Sequence, residues 1–216
     1  MDNFDISALW ADVRARLSDY RFYHSQCVAE CAKKLAAQYG WDEEKAYVAG
    51  AGHDIMKEQS RRAAPAYLAE NGVALTPLEL RCPKLWHAMA GEIYLRQTYS
   101  LPEDILQAVR WHTTGRENMT LPEKILFVAD FISDDRDYPG VDEMRVRARQ
   151  SLESAMEEGL RFTIEDLAKD CKPIHPDTLA AYNEILIQWP VVSSHQSLTT
   201  NHQSPVTNHQ LLTISH

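Results

Sequence analysis

Trp111-His112-Thr113-Thr114-Gly115-Arg116 and, shortly after it, Ile125-Leu126-Phe127-Val128-Ala129-Asp130-Phe131-Ile132 decide how this chain is read. The second string is an apolar helix with an acid in its middle. A carboxylate among Phe127, Ala129, Phe131 and Ile132 is costly to bury unless it is paired or binds a cation. Asp130 therefore predicts a built site rather than a solvated helix face. The first string closes a helix, where an imidazole suits the negative end of the dipole and Gly115 ends the turn. The Thr113 and Thr114 hydroxyls, the backbone N–H groups and the Arg116 guanidinium also suit a loop that faces oxyanions.

Working outward, the chain offers His24 in Tyr23-His24-Ser25, the pair His53-Asp54, and His87. With His112 and Asp130 these make four imidazoles and two carboxylates, a donor mix that suits iron, manganese or zinc better than calcium or magnesium. The pair His53-Asp54 alone carries little weight, because a chain with nine His meets such a dipeptide readily by chance. The weight lies in the ordered set, every member of which except His112 falls in a helix-like segment. His24 by itself would read as a core histidine on the stripe Cys27, Val28, Cys31 and Leu35. His53 follows Val48-Ala49-Gly50-Ala51-Gly52, small residues that let helices approach until ligands converge. His87 is followed by Ala88, Ala90 and Gly91. Lys57 and Arg136 could bring positive charge to the same cavity.

Helical periodicity covers 6–17, 21–39, 43–57, 61–70, 84–98, 102–112, 121–134, 141–158 and 176–189. Capping-box patterns start at Thr76, Ser100 and Thr120, each with Glu three residues on, and Gly40 reads as a helix stop. Alternating strand patterns are absent. The expectation is an all-α, single-domain helical bundle over 1–190 with its metal site among the helices. Residues 191–216 differ in character, being rich in Ser, Thr, Asn, Gln and His. Their histidines at 195, 202, 209 and 216 repeat every seven residues without the apolar positions of a coiled coil. This tail reads as a disordered repeat, and its histidines are left out of the site.

The 216 residues are 44% hydrophobic, enough for a full core in one domain, and the net charge is −9. That charge argues against nucleic acid as a partner. An acidic protein that binds anions needs local cations to do so. No apolar run reaches the ~18 residues of a membrane span. The acidic start lacks the features of a secretory leader. Cys27, Cys31, Cys82 and Cys171 show no C-x-x-C spacing and read as reduced core residues of a cytoplasmic protein. A homodimer is left open.

These residues carry a family resemblance. From about residue 18 to 189 the chain resembles the HD-domain bis(5′-nucleosyl)-tetraphosphatase (symmetrical) family, the YqeK type. The matching stretches are Arg21-Phe22-Tyr23-His24, His53 to Lys57, His87 to Gly91, His112 to Met119, Glu123 to Asp130 and Tyr138 to Arg145. The resemblance implies an iron site of one or two Fe2+ ions, with manganese or another divalent metal as substitute, and hydrolysis of diadenosine tetraphosphate to two ADP. It implies that His24, His53, Asp54 and Asp130 hold the tighter metal, while His87 and His112 hold a second metal or touch the phosphates. Asp54, His87 and His112 then carry catalysis. Arg21, Lys57, His87, His112, Thr113, Thr114, Arg116 and Arg136 bind substrate, joined by His175 in the closing segment Ile174-His175-Pro176. Two alternatives stand beside this reading: HD-type hydrolysis of another nucleotide (a nucleoside monophosphate, dNTP or alarmone), and a non-catalytic nucleotide sensor.

Overall fold

The computed structural model describes residues 4–58 and 60–188; the tail at 191–216 and its boundary at 190 lie outside these. Among the described residues there are only helices and turns, in the order α1 (Ile6–Arg16), α2 (Asp19–Tyr39), α3 (Glu43–Gly52), α4 (Ser60–Glu70), α5 (Pro77–Arg81), a 3₁₀ turn (Pro83–Leu85), α6 (Trp86–Tyr99), α7 (Glu103–Trp111), α8 (Leu121–Ile132), α9 (Val141–Gln150), α10 (Leu152–Lys169) and α11 (Pro176–Gln188). The all-α expectation holds.

Local chemistry sets several of these boundaries. Asp5 and Asp42 cap α1 and α3 through side-chain oxygens that accept from the first-turn N–H groups. Thr76 and Thr120 form the expected capping boxes with Glu79 and Glu123. Gly40 ends α2 at φ 82°, a left-handed conformation that glycine adopts without strain.

Several boundaries differ from expectation, among them the end of α10, which runs to Lys169 rather than 158. Ser100 does not open a helix: it closes α6 in the left-handed region, and α7 starts after Pro102. The competing demand is met by Glu103, whose carboxylate takes Arg96 at 2.7 and 2.9 Å instead of the cap. The stretch 141–158 is two helices, broken at Ser151, whose hydroxyl caps α10. Likewise α3 stops at Gly52, so His53 and Asp54 sit in a tight turn just beyond the helix rather than within it. The cysteines are free; Cys27, Cys31 and Cys82 are half-buried and Cys171 is exposed, so none is a fully buried core residue.

Long α2 packs along α3 and α8, while α7 bridges α6, α3 and α8. The contact between α2 and α3 is very close: a Cβ on Gly50 would come within 2.5 Å of the Ala29 main chain. The small-residue run before His53 does what its composition suggests. The apolar side of α8 (Ile125, Leu126, Phe127, Val128, Ala129) is buried, and α10 covers it from outside. Helices α9 and α11 complete the outer layer against α10. The ends of α3, α7 and α8 and the starts of α2 and α6 thus meet around one point. No helix is long and apolar enough to cross a membrane among the described residues.

Candidate metal centre

Four imidazoles form a row at that point. Ring centroids are 5.2 Å apart for His24 and His53, 5.1 Å for His53 and His112, and 5.0 Å for His112 and His87. All four are buried. Three are oriented by one device. His53, His87 and His112 each bond through Nδ1, at 2.7 Å, to the carbonyl three residues earlier, of Gly50, Lys84 and Val109. A carbonyl only accepts, so Nδ1 carries the proton and Nε2 presents its lone pair to the centre. His24 uses a carboxylate instead: its Nδ1 donates to Asp135 at 2.8 Å, and its Nε2 lies 3.0 Å from Asp130 Oδ1.

The carboxylates stand between the rings. Asp54 Oδ1 lies 3.1 Å from His87 Nε2 and 3.7 Å from His112 Nε2, and Oδ2 is 3.7 Å from His53 Nε2. Asp130 Oδ1 lies 4.0 Å from His53 Nε2. Two overlapping groups could each hold an ion: His24, His53 and Asp130, and His53, Asp54 and His112, with the ligand atoms of each group within 4.8 Å of one another. His53 Nε2 is buried without a hydrogen bond, and Asp54 Oδ1, also buried, has the Lys57 ammonium at 3.2 Å as an ion-pair partner. A buried nitrogen like that of His53 is rare in folded proteins and calls for a ligand. The residues fit a cation bound by nitrogen and oxygen.

Electrostatics agree for His53 and His87. Burial holds the His53 imidazole down to about 3, and burial with the nearby Lys57 ammonium holds His87 at about 4. Both are neutral ligands at pH 7. For His24 burial acts downward but is outweighed by the hydrogen bonds to Asp130 and Asp135, which raise it to about 9. Burial opposes ionisation of Asp54 and Asp130 too, yet both stay well below the usual carboxylate range. For Asp54 the outweighing groups are His53 and Lys57; for Asp130 they are His24 and Arg136.

Cationic and hydroxyl groups ring the cluster. Arg21 donates to Asp54 Oδ2 at 3.2 Å. Lys57 Nζ lies 3.0 Å from His87 Nε2 and 3.2 Å from Asp54 Oδ1. Thr113 Oγ1 is 3.1 Å from His112 Nε2 and 3.3 Å from His87 Nε2. Arg136 donates to the side chain and main chain of Asp130. The structure thus brings together all six sequence-predicted metal residues, two of which were also predicted substrate contacts, and four further predicted substrate contacts.

Three others make their contacts elsewhere, the Thr114 hydroxyl itself being buried without a hydrogen bond. The Thr114 carbonyl accepts from Thr178 Oγ1 at 2.9 Å, fastening the loop after α7 to α11. Arg116 turns to buried Glu123 at 2.8 Å and to the Glu117 carbonyl at 3.0 Å. His175 lies 3.5 Å from both Glu79 and Asp177. Asp135, in direct contact with His24, was not anticipated; within Asp134-Asp135-Arg136-Asp137 it reads as one more solvated charge.

The HD domain family model matches residues 21–134. The chain is 39% identical over 177 residues, 82% of its length and 94% of the relative's, to the symmetrical bis(5′-nucleosyl)-tetraphosphatase of Halalkalibacterium halodurans. The chain belongs to the HD-domain family of symmetrical bis(5′-nucleosyl)-tetraphosphatases. The Bacillus subtilis tetraphosphatase is 36% identical over 174 residues, covering 80% of this chain and 93% of that one. A crystal structure from Clostridium acetobutylicum, described as a "predicted HD superfamily hydrolase involved in NAD metabolism", matches with a TM-score of 0.83 and 32% identity, over 85% of this chain and 98% of that one. In this tetraphosphatase-family member His24, His53, His112, Asp54 and Asp130 make a donor set for a divalent metal, of the mixed nitrogen and oxygen type.

Proposed function

We propose that the chain hydrolyses diadenosine tetraphosphate and related dinucleoside polyphosphates at the central anhydride, giving two ADP. Three relatives named for this activity match over 82%, 80% and 79% of the chain. The observation that carries the reading to this molecule is the alignment of His53, His87 and His112 by carbonyls three residues back. It aims three ring nitrogens at Asp54 inside a rim of Arg and Lys.

His24, His53, Asp54 and Asp130 would hold the ion, which we take to be ferrous iron with manganese as a substitute. A divalent ion held there supplies Lewis acidity and makes water acidic enough to attack phosphorus at neutral pH. The side chains do the rest. Asp54, ionised and facing inward, accepts from the attacking water and orients it. Arg21 and Arg136 neutralise phosphate oxygens in a protein whose net charge is −9. Lys57 places its ammonium against His87 and Asp54, and its charge disfavours a second cation beside them. We therefore assign His87, His112, Lys57 and Thr113 to the phosphates rather than to a second ion. Water oxygen joins one phosphorus, the central P–O bond breaks, and the displaced half leaves as ADP. Anchoring the phosphates in line in this way fixes where the cut falls.

Chromatography of an early time point with ferrous or manganous ion tests the proposal. ADP as the only nucleotide product supports it; ATP with AMP, or no turnover, overturns it. The reading includes a cytoplasmic protein whose catalytic domain ends at 190, so truncation after Pro190 leaves turnover unchanged.

A further inference from the structure

Beside the metal centre, at the His24 end of the imidazole row, opens a cavity of about 220 Å³ lined by Asp130, Phe131, Arg136, Tyr138 and Phe162. Two of its walls, Asp130 and Arg136, belong to the cluster; the other three are aromatic. Tyr138 and Phe162 lie 5.4 Å apart between ring centroids, tilted by 30°, and Phe131 forms a separate tilted pair with Phe127 at 5.1 Å. Phe162 is 43% exposed. The Tyr138 hydroxyl is turned away from solvent, donating to the Phe131 carbonyl at 3.0 Å, so the residue offers its ring and not its polar end.

We propose that this cavity is a nucleobase subsite, in which Phe162 and Tyr138 stack one base of the substrate while Arg136 holds the phosphate next to it. The inference rests on the nucleotide reading of the metal centre and adds to it the residues that grip the nucleoside. Size agrees: the volume is below the 300–1,000 Å³ of a pocket for a whole drug-sized ligand and suits a single planar ring system. Chemistry agrees as well, since a π-face binds any base without edge-on hydrogen bonds. The placement is what a dinucleoside polyphosphate needs, with Arg136 as the wall common to the aromatic cavity and the charged centre. At the opposite end of the row, Lys57 and Thr113 face the other half of the substrate.

Equilibrium dialysis of manganese-loaded protein against ADP and against inorganic pyrophosphate, which lacks a base, tests this. Phe162→Ala and Phe162→Leu should each weaken ADP about tenfold, the size of one lost base stack, and leave pyrophosphate within about twofold. Phe162→Trp should restore ADP. If Phe162→Leu binds ADP like the wild type, or if both ligands weaken together, the subsite is overturned. Failure of the wild type to cleave diadenosine tetraphosphate would sink the activity alone, because the ADP and pyrophosphate comparison does not depend on turnover.

Discussion

Asp135 accepts the Nδ1–H of His24 at 2.8 Å, and Ser133 donates its hydroxyl to the other oxygen of the same carboxylate at 2.6 Å. A carboxylate behind a ligating imidazole fixes the ring and raises its basicity, and losing such a partner typically costs about 10–100-fold in metal affinity. Asp135→Asn keeps the shape and removes the charge. Metal titration should show a fall of that order, with turnover recovered at saturating metal. Unchanged affinity would remove Asp135 from the site.

Asp130→Ala takes out a proposed ligand whose loss leaves Arg136 and His24 without their shared acid. It should abolish stoichiometric metal binding and turnover while the far-ultraviolet spectrum stays helical, since neighbouring Ala129 and Val128 keep their packing. Normal iron content and activity in this variant would refute the ligand assignment.

Gly50→Ala tests the close approach of α2 and α3. The new Cβ would meet the Cα, N and carbonyl atoms of Ala29 and Val28 at 2.5–2.9 Å, and backbone cannot step aside as a flexible side chain can. Overpacking of this kind costs about 3 kcal/mol. It also moves the Gly50 carbonyl that orients His53. Thermal unfolding and metal content should both fall; a variant with normal values for both would show that the two helices can slide.

Acid sensitivity should follow Asp12. Its carboxylate takes Tyr94 at 2.6 Å, Tyr99 at 3.0 Å and Arg16 at 2.6 Å, tying α1 to α6. Burial raises this acid, but those three bonds outweigh it and hold it below 3.8. A depressed folded-state value means the stabilisation is complete above about pH 4 and is lost as the pH falls through the lower folded value. Asp12→Asn should cost about 1–2 kcal/mol at pH 7 and show a flatter loss of stability below pH 4. Parallel melting curves for the two proteins across pH 2–7 would refute this.

The site was legible in the sequence where chemistry and periodicity coincide. Asp130 stood out because an acid in an apolar helix has few explanations, and Thr76, Thr120 and Gly40 because their caps are local. What depends on direction was hidden. Arg116 and Asp135 both lie outside helices, where spacing does not say which way a side chain turns; the buried carboxylate of Glu123 captures the first, and His24 engages the second. Ser100 carries the same local signal as Thr76, yet Glu103 answers a distant arginine. The break at Ser151 was masked because apolar spacing continues across it. The tail reading at 191–216 concerns residues beyond those described.

The row of imidazoles has a mechanical side. The proposed ligands His24, His53, Asp54 and Asp130 come from α2, the turn after α3 and α8, so a bound ion would act as a cross-brace tying together segments as far apart in sequence as residues 24 and 130. Whatever binds the folded chain alone raises its melting point in proportion to the logarithm of its concentration. The persistence of this protein in a cell would then track the supply of free metal: scarcity would loosen the bundle as well as idle it, and would expose the chain to proteases when its chemistry is least available.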